Sequence, residues 1–319
     1  MELNDNYRGS SFRGNFVWGG AMHLAWKELN DNILHEKLQL NTDDKIAIDL
    51  VDQFNTSLFS KKDVDDQCYY VQSGYGQKTV NIINSEIKRK FPDASFGDLN
   101  MSIGSKDVIA CAFFLKAVQY ALEFNKGNVF FNKKQVAGFK AINGDQKKMI
   151  EIIKYDNNDQ FVIKLKLKDN SDELILGKGY DMSNPRPLLL EIIKHNNSDL
   201  PTLGHYDRFE APKLHLDHQR VYKELIGKLL LNKQFKDYFI GQMFESIKFD
   251  MDEKGARVEN RAVISLSRGA VFVEPAVKPK NFILDKPYWV VMKRTSSMNP
   301  YFILGVNNTN IMDIKGFHF

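Results

Sequence analysis

Cysteine is scarce in this chain: Cys68 and Cys111 are the only two among 319 residues. Two thiols make no disulfide framework, so the sequence points to a reducing compartment. Long apolar runs are missing as well. No stretch reaches the roughly 18 uninterrupted apolar residues that a membrane helix needs. The start, Met1-Glu2-Leu3-Asn4-Asp5-Asn6, has neither basic residues nor an apolar core, which predicts no secretory signal and a cytoplasmic protein. A secreted protein with its signal removed would read the same. Charge of one sign is not in excess: 44 basic and 40 acidic residues leave +4, too little over this length to imply a nucleic-acid partner. The basic run in Glu86-Ile87-Lys88-Arg89-Lys90 lies inside a helical pattern and reads as a solvated face. The sequons at Asn55, Asn100, Asn196 and Asn307 follow from an Asn-rich composition and would go unused without secretion. Nothing in the chain signals an oligomeric state.

What is present suits a globular protein. A 43% hydrophobic content provides for a sizeable core. No internal repeat or linker divides the chain, and the Asn/Asp clusters at 156–159, 169–172 and 196–199 mark turns. One domain spanning 1–319 is expected. Residues 1–100 read mainly as helix: Phe16 to Leu29, Asp43 to Phe54 and Thr79 to Phe91 carry apolar residues at helical spacing. Residues 101–319 turn toward strands. Val108 to Leu115 is a nearly unbroken apolar run, as in a strand buried on both faces. Phe161 to Lys168 alternates at its end, leaving one wet face. Tyr222 to Phe235 returns to helical spacing. Helices first and strands later, without βαβ alternation, give an α+β class.

Reactive constellations are thin, and neither an enzyme nor a cofactor is expected. His205, His215 and His218 with Asp217 are candidate metal ligands. On one strand, however, His215 and Asp217 point one way and His218 the other, so no metal is expected. Gly19-Gly20 and Gly177-Lys178-Gly179 match no phosphate-binding motif, and the second predicts a turn. Cys111 lies in the apolar run and reads as a buried, inert thiol. Cys68 has no histidine nearby in sequence to activate it. Trp18 and Trp26, eight apart, are predicted to share a helix face, and Trp289 to pack between sheets.

Four blocks carry a family resemblance. Asp107-Val108-Ile109-Ala110-Cys111-Ala112-Phe113-Phe114-Leu115-Lys116 is followed by Ile152-Ile153-Lys154-Tyr155 with Phe161-Val162-Ile163-Lys164-Leu165. Ala211-Pro212-Lys213-Leu214-His215-Leu216-Asp217 precedes the expected helix over Val221 to Leu231. Last come the turn Asp252-Glu253-Lys254-Gly255, a long mixed segment, and Phe282-Ile283-Leu284-Asp285-Lys286-Pro287-Tyr288 with closing strands. In order and kind these resemble the serpins, over roughly residues 80 to 310. Cys111 stands where the family has Asn and Gln119 where it has Trp. The Ser-Pro-x-Ser helix start is missing, and the chain is shortened on the N-terminal side. The resemblance implies a large, mostly antiparallel central sheet, with smaller sheets and helices packed on it, and an exposed loop over about 253–286.

The same resemblance makes Glu253, Gly255, Ala256, Val258 and Asn260 the hinge of that loop. Serpins present the loop to a protease and insert it into the sheet once it is cut. Insertion would turn Ala256, Val258, Asn260 and Ala262 inward and leave Arg257, Glu259 and Arg261 on the other face. Inhibitory members carry an alanine run here, because a packed interior accepts small side chains best. The resemblance therefore implies a non-inhibitory protein that binds another protein through its loop or surface. Two alternatives stay open. One is an inhibitor of a trypsin-like serine protease, or of a cysteine protease, with Arg268-Gly269 as the bait bond. The other is an enzyme or small-molecule binder with no recognised motif. Val263-Ile264-Ser265-Leu266 and Val271-Phe272-Val273 could also pair as a local hairpin.

Overall fold

The computed structural model describes residues 3, 7–92, 97–195, 199–257 and 279–314. Its chain runs through β1 (Ser10–Phe12), β2 (Asn15–Gly19), α1 (Ala21–Leu29), β3 (Leu40–Asn41), α2 (Lys45–Thr56), β4 (Tyr69–Tyr75) and α3 (Gly76–Lys90). There follow β5 (Val108–Phe114), β6 (Ala117–Gln119), β7 (Asn125–Phe131), β8 (Lys134–Ala141), α4 (Gly144–Lys147), β9 (Ile150–Asn157), β10 (Gln160–Leu165), β11 (Asp172–Lys178) and α5 (Arg186–Lys194). The remainder holds β12 (Arg208–Pro212), β13 (Leu214–Val221), β14 (Leu229–Leu230) and β15 (Phe244–Met251). It ends with β16 (Gly255–Arg257), β17 (Asn281–Ile283), β18 (Tyr288–Arg294) and β19 (Pro300–Val306).

The apolar strands of the second half assemble a seven-stranded sheet in the order β1-β2-β19-β18-β11-β10-β9, antiparallel throughout. β11, β18 and β19 run through its middle, which explains their near-continuous burial. Charges inside it are paired, as between Lys293 and Glu173 at 2.7 Å. The alternation at the end of β10 leaves Lys164 and Lys166 on one face, where both reach Glu151 at 2.9 and 3.3 Å. A second sheet runs β17-β12-β8-β7 and a third β13-β15-β16-β6, while β4 and β5 pair only with each other.

The helices at α2 and α3 follow from their residues. Asp44 caps α2 by accepting the Ile46 and Ala47 amides at 3.0 and 3.4 Å. α3 buries Val80, Ile83 and Ile87 and carries Lys88, Arg89 and Lys90 in its last turn, where they complement the helix dipole.

Four expectations give way. Asn15–Gly19 is a strand paired with β19, and helix begins only at Ala21. Trp18 and Trp26 therefore sit on different elements. A Cβ on Gly20 would lie 2.3 Å from the Phe59 ring, so the switch from strand to helix occurs where only glycine fits. Tyr222 to Phe235 is not an α-helix, having only a 3-10 turn at Lys233–Phe235, and the stretch Val221 to Leu231 is not helical. Gly227 takes φ +81°, and Leu229–Leu230 pairs with Leu40–Asn41. Leu225 and Leu230 are buried by turns rather than by one helix face. β5 is half-buried rather than enclosed, with Ile109 its only buried residue, because a single strand pairs with it. Cys111 is accordingly half-buried. Finally, Gly177 and Lys178 belong to β11, and only Gly179, at φ +88°, makes the turn.

Candidate functional site

Among the described residues, two neighbouring strands leave edges without partners. β15 pairs with β13 along its whole length but meets β16 only at Asp250 and Met251. β5 pairs only with β4. Between these edges lies a cavity of about 510 Å³, lined by Ala110, Ala112 and Phe114 on one side and by Glu245, Ile247 and Phe249 on the other. At its head β16 lies between β15 and β6, antiparallel to both. β15 and β6 are thus parallel to each other, and β16 begins a strand that would run down the gap.

The turn that feeds β16 is tightly held. Asp252 Oδ1 accepts the Lys254 amide at 2.8 Å, and the Asp252 amide donates to Gly255 O at 3.0 Å. The Glu253 and Lys254 carbonyls accept from the Phe124 and Tyr120 amides, each at 2.9 Å. Glu253 is 2% exposed. Its carboxylate pairs with Lys126 of β7 at 3.1 Å and with Lys213, between β12 and β13. Burial alone would raise its pKa, but hydrogen bonds from Lys213, the Glu253 backbone and Lys126 hold it below the usual carboxylate range. Ala256 is 1% exposed.

Gly255 is where backbone meets backbone: a Cβ there would lie 2.1 Å from Val118 O. Gly255→Ala is expected to lift β16 away from β6 at a cost of about 1–3 kcal/mol. Amide exchange at Ala256 and Val118 would report the loss, and unchanged protection would contradict the packing.

The far side of the loop is pinned too. β17 pairs in parallel with β12 from Asn281 to Ile283. Lys178, 2% exposed, donates to Asn158 O at 3.1 Å, Ile283 O at 2.9 Å and Asp285 Oδ1 at 2.6 Å. Buried and fully partnered, it fixes the chain at Ile283 and Asp285. Of the residues expected from sequence, Glu253, Gly255 and Ala256 come together at the head of the gap. Val258, Asn260, Arg268, Gly269 and the two segments of the expected hairpin lie outside the described residues. Lys126, Lys213, Lys178 and Glu245 were not singled out as site residues. Lys213 stood in the Pro-Lys block, but nothing in sequence couples it to Glu253, 40 positions away.

The other constellations separate. His215 contacts Asp250 across the strand pair, His218 Nε2 lies 2.9 Å from Ser10 Oγ, and the His205 carbonyl accepts from Lys147. Among the described residues no three His, Cys, Asp or Glu side chains are placed to share a metal. Burial pushes the Cys111 thiol up to about 12 and raises that of Cys68. Trp289 is fully buried, edge-on to Phe16, and donates to Asp181 O at 3.2 Å. No described helix is long and apolar enough to cross a membrane.

No protein-family model matches the sequence, and no curated protein matches it by sequence. Solved structures do match the fold. The mouse protein-Z dependent protease inhibitor is similar over 92% of this chain and 91% of its own, at 12% identity and TM-score 0.55. Serpin48 of the insect Tenebrio molitor is similar over 93% and 92%, at 13% identity and TM-score 0.48. Thyroxine-binding globulin in complex with thyroxine is similar over 72% and 64%, at 12% identity and TM-score 0.45.

Proposed function

We propose that this chain, which has the serpin fold, acts as a protease trap. A trypsin-like protease would cut the exposed loop at Arg268-Gly269. The freed loop would then enter the gap between β5 and β15 as a new strand. The observation that carries this reading is the seat of β16, already hydrogen-bonded to both neighbours at the head of a gap that no described residue fills. The mouse relative's name, a protease inhibitor, agrees with it.

Register supplies the detail. β16 sets Ala256 opposite Met251 and Arg257 opposite Asp250. Continuing one residue at a time, Val258 would face Phe249, Glu259 would face Lys248, Asn260 would face Ile247 and Ala262 would face Glu245. The outer face then meets complementary charge, because Lys248 already lies 3.1 Å from Asp217 there, and opposite charges directly across a ladder stabilise it. The inner face would receive Val258, Ala262, Ile264 and Leu266. The charges that distinguish this hinge from an alanine run therefore suit an inserted strand rather than oppose it.

The chemistry follows the protease. Its serine would attack the Arg268 carbonyl carbon, the Gly269 amine would leave with a proton, and an ester would join the two proteins. Insertion must outrun hydrolysis of that ester. The test is incubation of the whole chain with trypsin, followed by denaturing gels. An SDS-stable adduct that Arg268→Ala abolishes is expected. Cleavage without an adduct would overturn the trap. It would support the second reading, a binding protein without trapping, which Asn260 favours: its amide would have to enter an apolar gap, at about 1–3 kcal/mol if unpaired, and so slow insertion.

A further inference from the structure

Glu245 and Asp98 are the acidic residues lining the gap between the β5 and β15 edges. Asp98 pairs with Lys88, and the lining cations Lys116 and Lys248 pair with Asp172 and Asp217, whereas the surroundings of Glu245 are incomplete. Oε2 accepts the Tyr222 hydroxyl at 3.2 Å. Oε1 is buried and has no hydrogen-bond partner. Among the described residues no lysine, arginine or histidine forms an ion pair with this carboxylate. Arg220 instead lies over the Tyr222 ring, 4.2 Å from its centroid. Burial pushes the Glu245 carboxyl up to about 7, despite the Tyr222 hydroxyl, the Met22 amide and the charge of Arg220. A carboxylate held in an apolar cavity without a counter-cation is unstable as an anion, and an entering cation would relieve it.

The cavity does not end there. Met22, Ala25, Asn100, Met101, Ile109, Ala110, Gln242 and Met243 line both it and a second cavity of about 940 Å³. One side of that second space is apolar, with Trp26, Leu29, Ile33, Phe235 and Tyr238, while Lys106, Asp107 and Asp237 also line it. The two cavities adjoin across these shared residues and together offer a channel with Glu245 at one end and an apolar side beyond it.

We propose that this channel binds a hydrophobic primary amine, with its ammonium group on Glu245 and its alkyl chain running past Met22 and Met243 into the larger cavity. An ammonium donates to the vacant Oε1 and neutralises the carboxylate, which an alcohol or a fatty acid cannot do. The site does not depend on loop insertion, and the uncut protein is the form that has the channel open.

Calorimetric titration of the uncut chain with n-decylamine, 1-decanol, decanoate and n-butylamine, each below its micelle concentration, tests the proposal. Decylamine is expected to bind one equivalent. Decanol and decanoate should bind at least about tenfold more weakly, since a hydrogen bond to a charged group carries that discrimination, and butylamine should be weaker for want of a tail. Glu245→Gln should remove the preference for amine over alcohol. Ala112→Leu, which fills the channel but keeps the carboxylate, should weaken both. Equal binding of decylamine and decanol would overturn the proposal, as would an affinity for decylamine untouched by Ala112→Leu. That last result decides the matter even if the Gln variant fails to fold.

Discussion

Cutting the loop once at Arg268-Gly269 is expected to raise the melting temperature by at least about 10 °C. Before the cut, the segment is held at Arg257 by β16 and at Asn281 by β17, so a strand running down the gap would have to return to Asn281. After the cut, the arm leaving β16 is free. Insertion would give the unpaired edges of β5 and β15 a ladder partner each. It would also bury Val258, Ile264 and Leu266, large apolar side chains worth about 1.5–3 kcal/mol apiece. Ordering the arm opposes this. A net gain of about 5 kcal/mol, at about 2–4 °C per kcal/mol for a large domain, gives the stated rise. Differential scanning calorimetry on intact and nicked protein measures it. An unchanged or lower transition would mean that the gap does not accept the arm, and the insertion reading would fail whatever the gels show.

Glu253→Ala carries the second large effect. The carboxylate is the counter-charge for Lys126 and Lys213 together, and its removal leaves two partly exposed ammonium groups without their counter-charge. Breaking a buried pair from one side costs about 3–5 kcal/mol. A drop in melting temperature of about 10 °C follows at the same scaling, together with loosening of the turn that feeds β16. The pH dependence has a definite sign. The folded carboxyl lies below its ordinary value of about 4.3, so the pair's contribution is complete above that value and is lost as pH falls through the folded one. The variant should therefore lose less stability than the wild type between about pH 5 and pH 3. Urea unfolding at several pH values checks this. A deficit below about 1 kcal/mol at neutral pH would show that the turn is held by its backbone bonds alone.

Much of the strand framework was legible because its signals are local. β9 and β10 fall on the two runs that bracket an Asp-Asn turn, and α2 and α3 carry their own periodicity and ends. The failures share a cause. Asn15–Gly19 carries apolar residues that suit helix or strand, and pairing with β19 almost 300 positions later decides between them. Leu225, Leu229 and Leu230 have helical spacing, but partners at Leu40 and Asn41 and a left-handed Gly227 draw them into turns.

The hinge shows the same division. The turn Asp252-Glu253-Lys254-Gly255 is legible in the sequence, the serpin resemblance marks it as a hinge, and the alternation of residues after it is legible because a strand's two faces are written in every second position. Whether those charges oppose insertion was not there to be read. Register bears on it, by setting Arg257 opposite Asp250; continued by two residues, it would bring Glu259 opposite Lys248. Register arises from pairing between segments far apart in the chain, as does the gap beside Glu245. The sequence by itself determined which residues alternate after the turn, and its resemblance to the serpins made them the expected inserting strand. Only the tertiary structure decided what stands opposite each of them, since a cross-strand partner is a property of the packed chain and of no single segment.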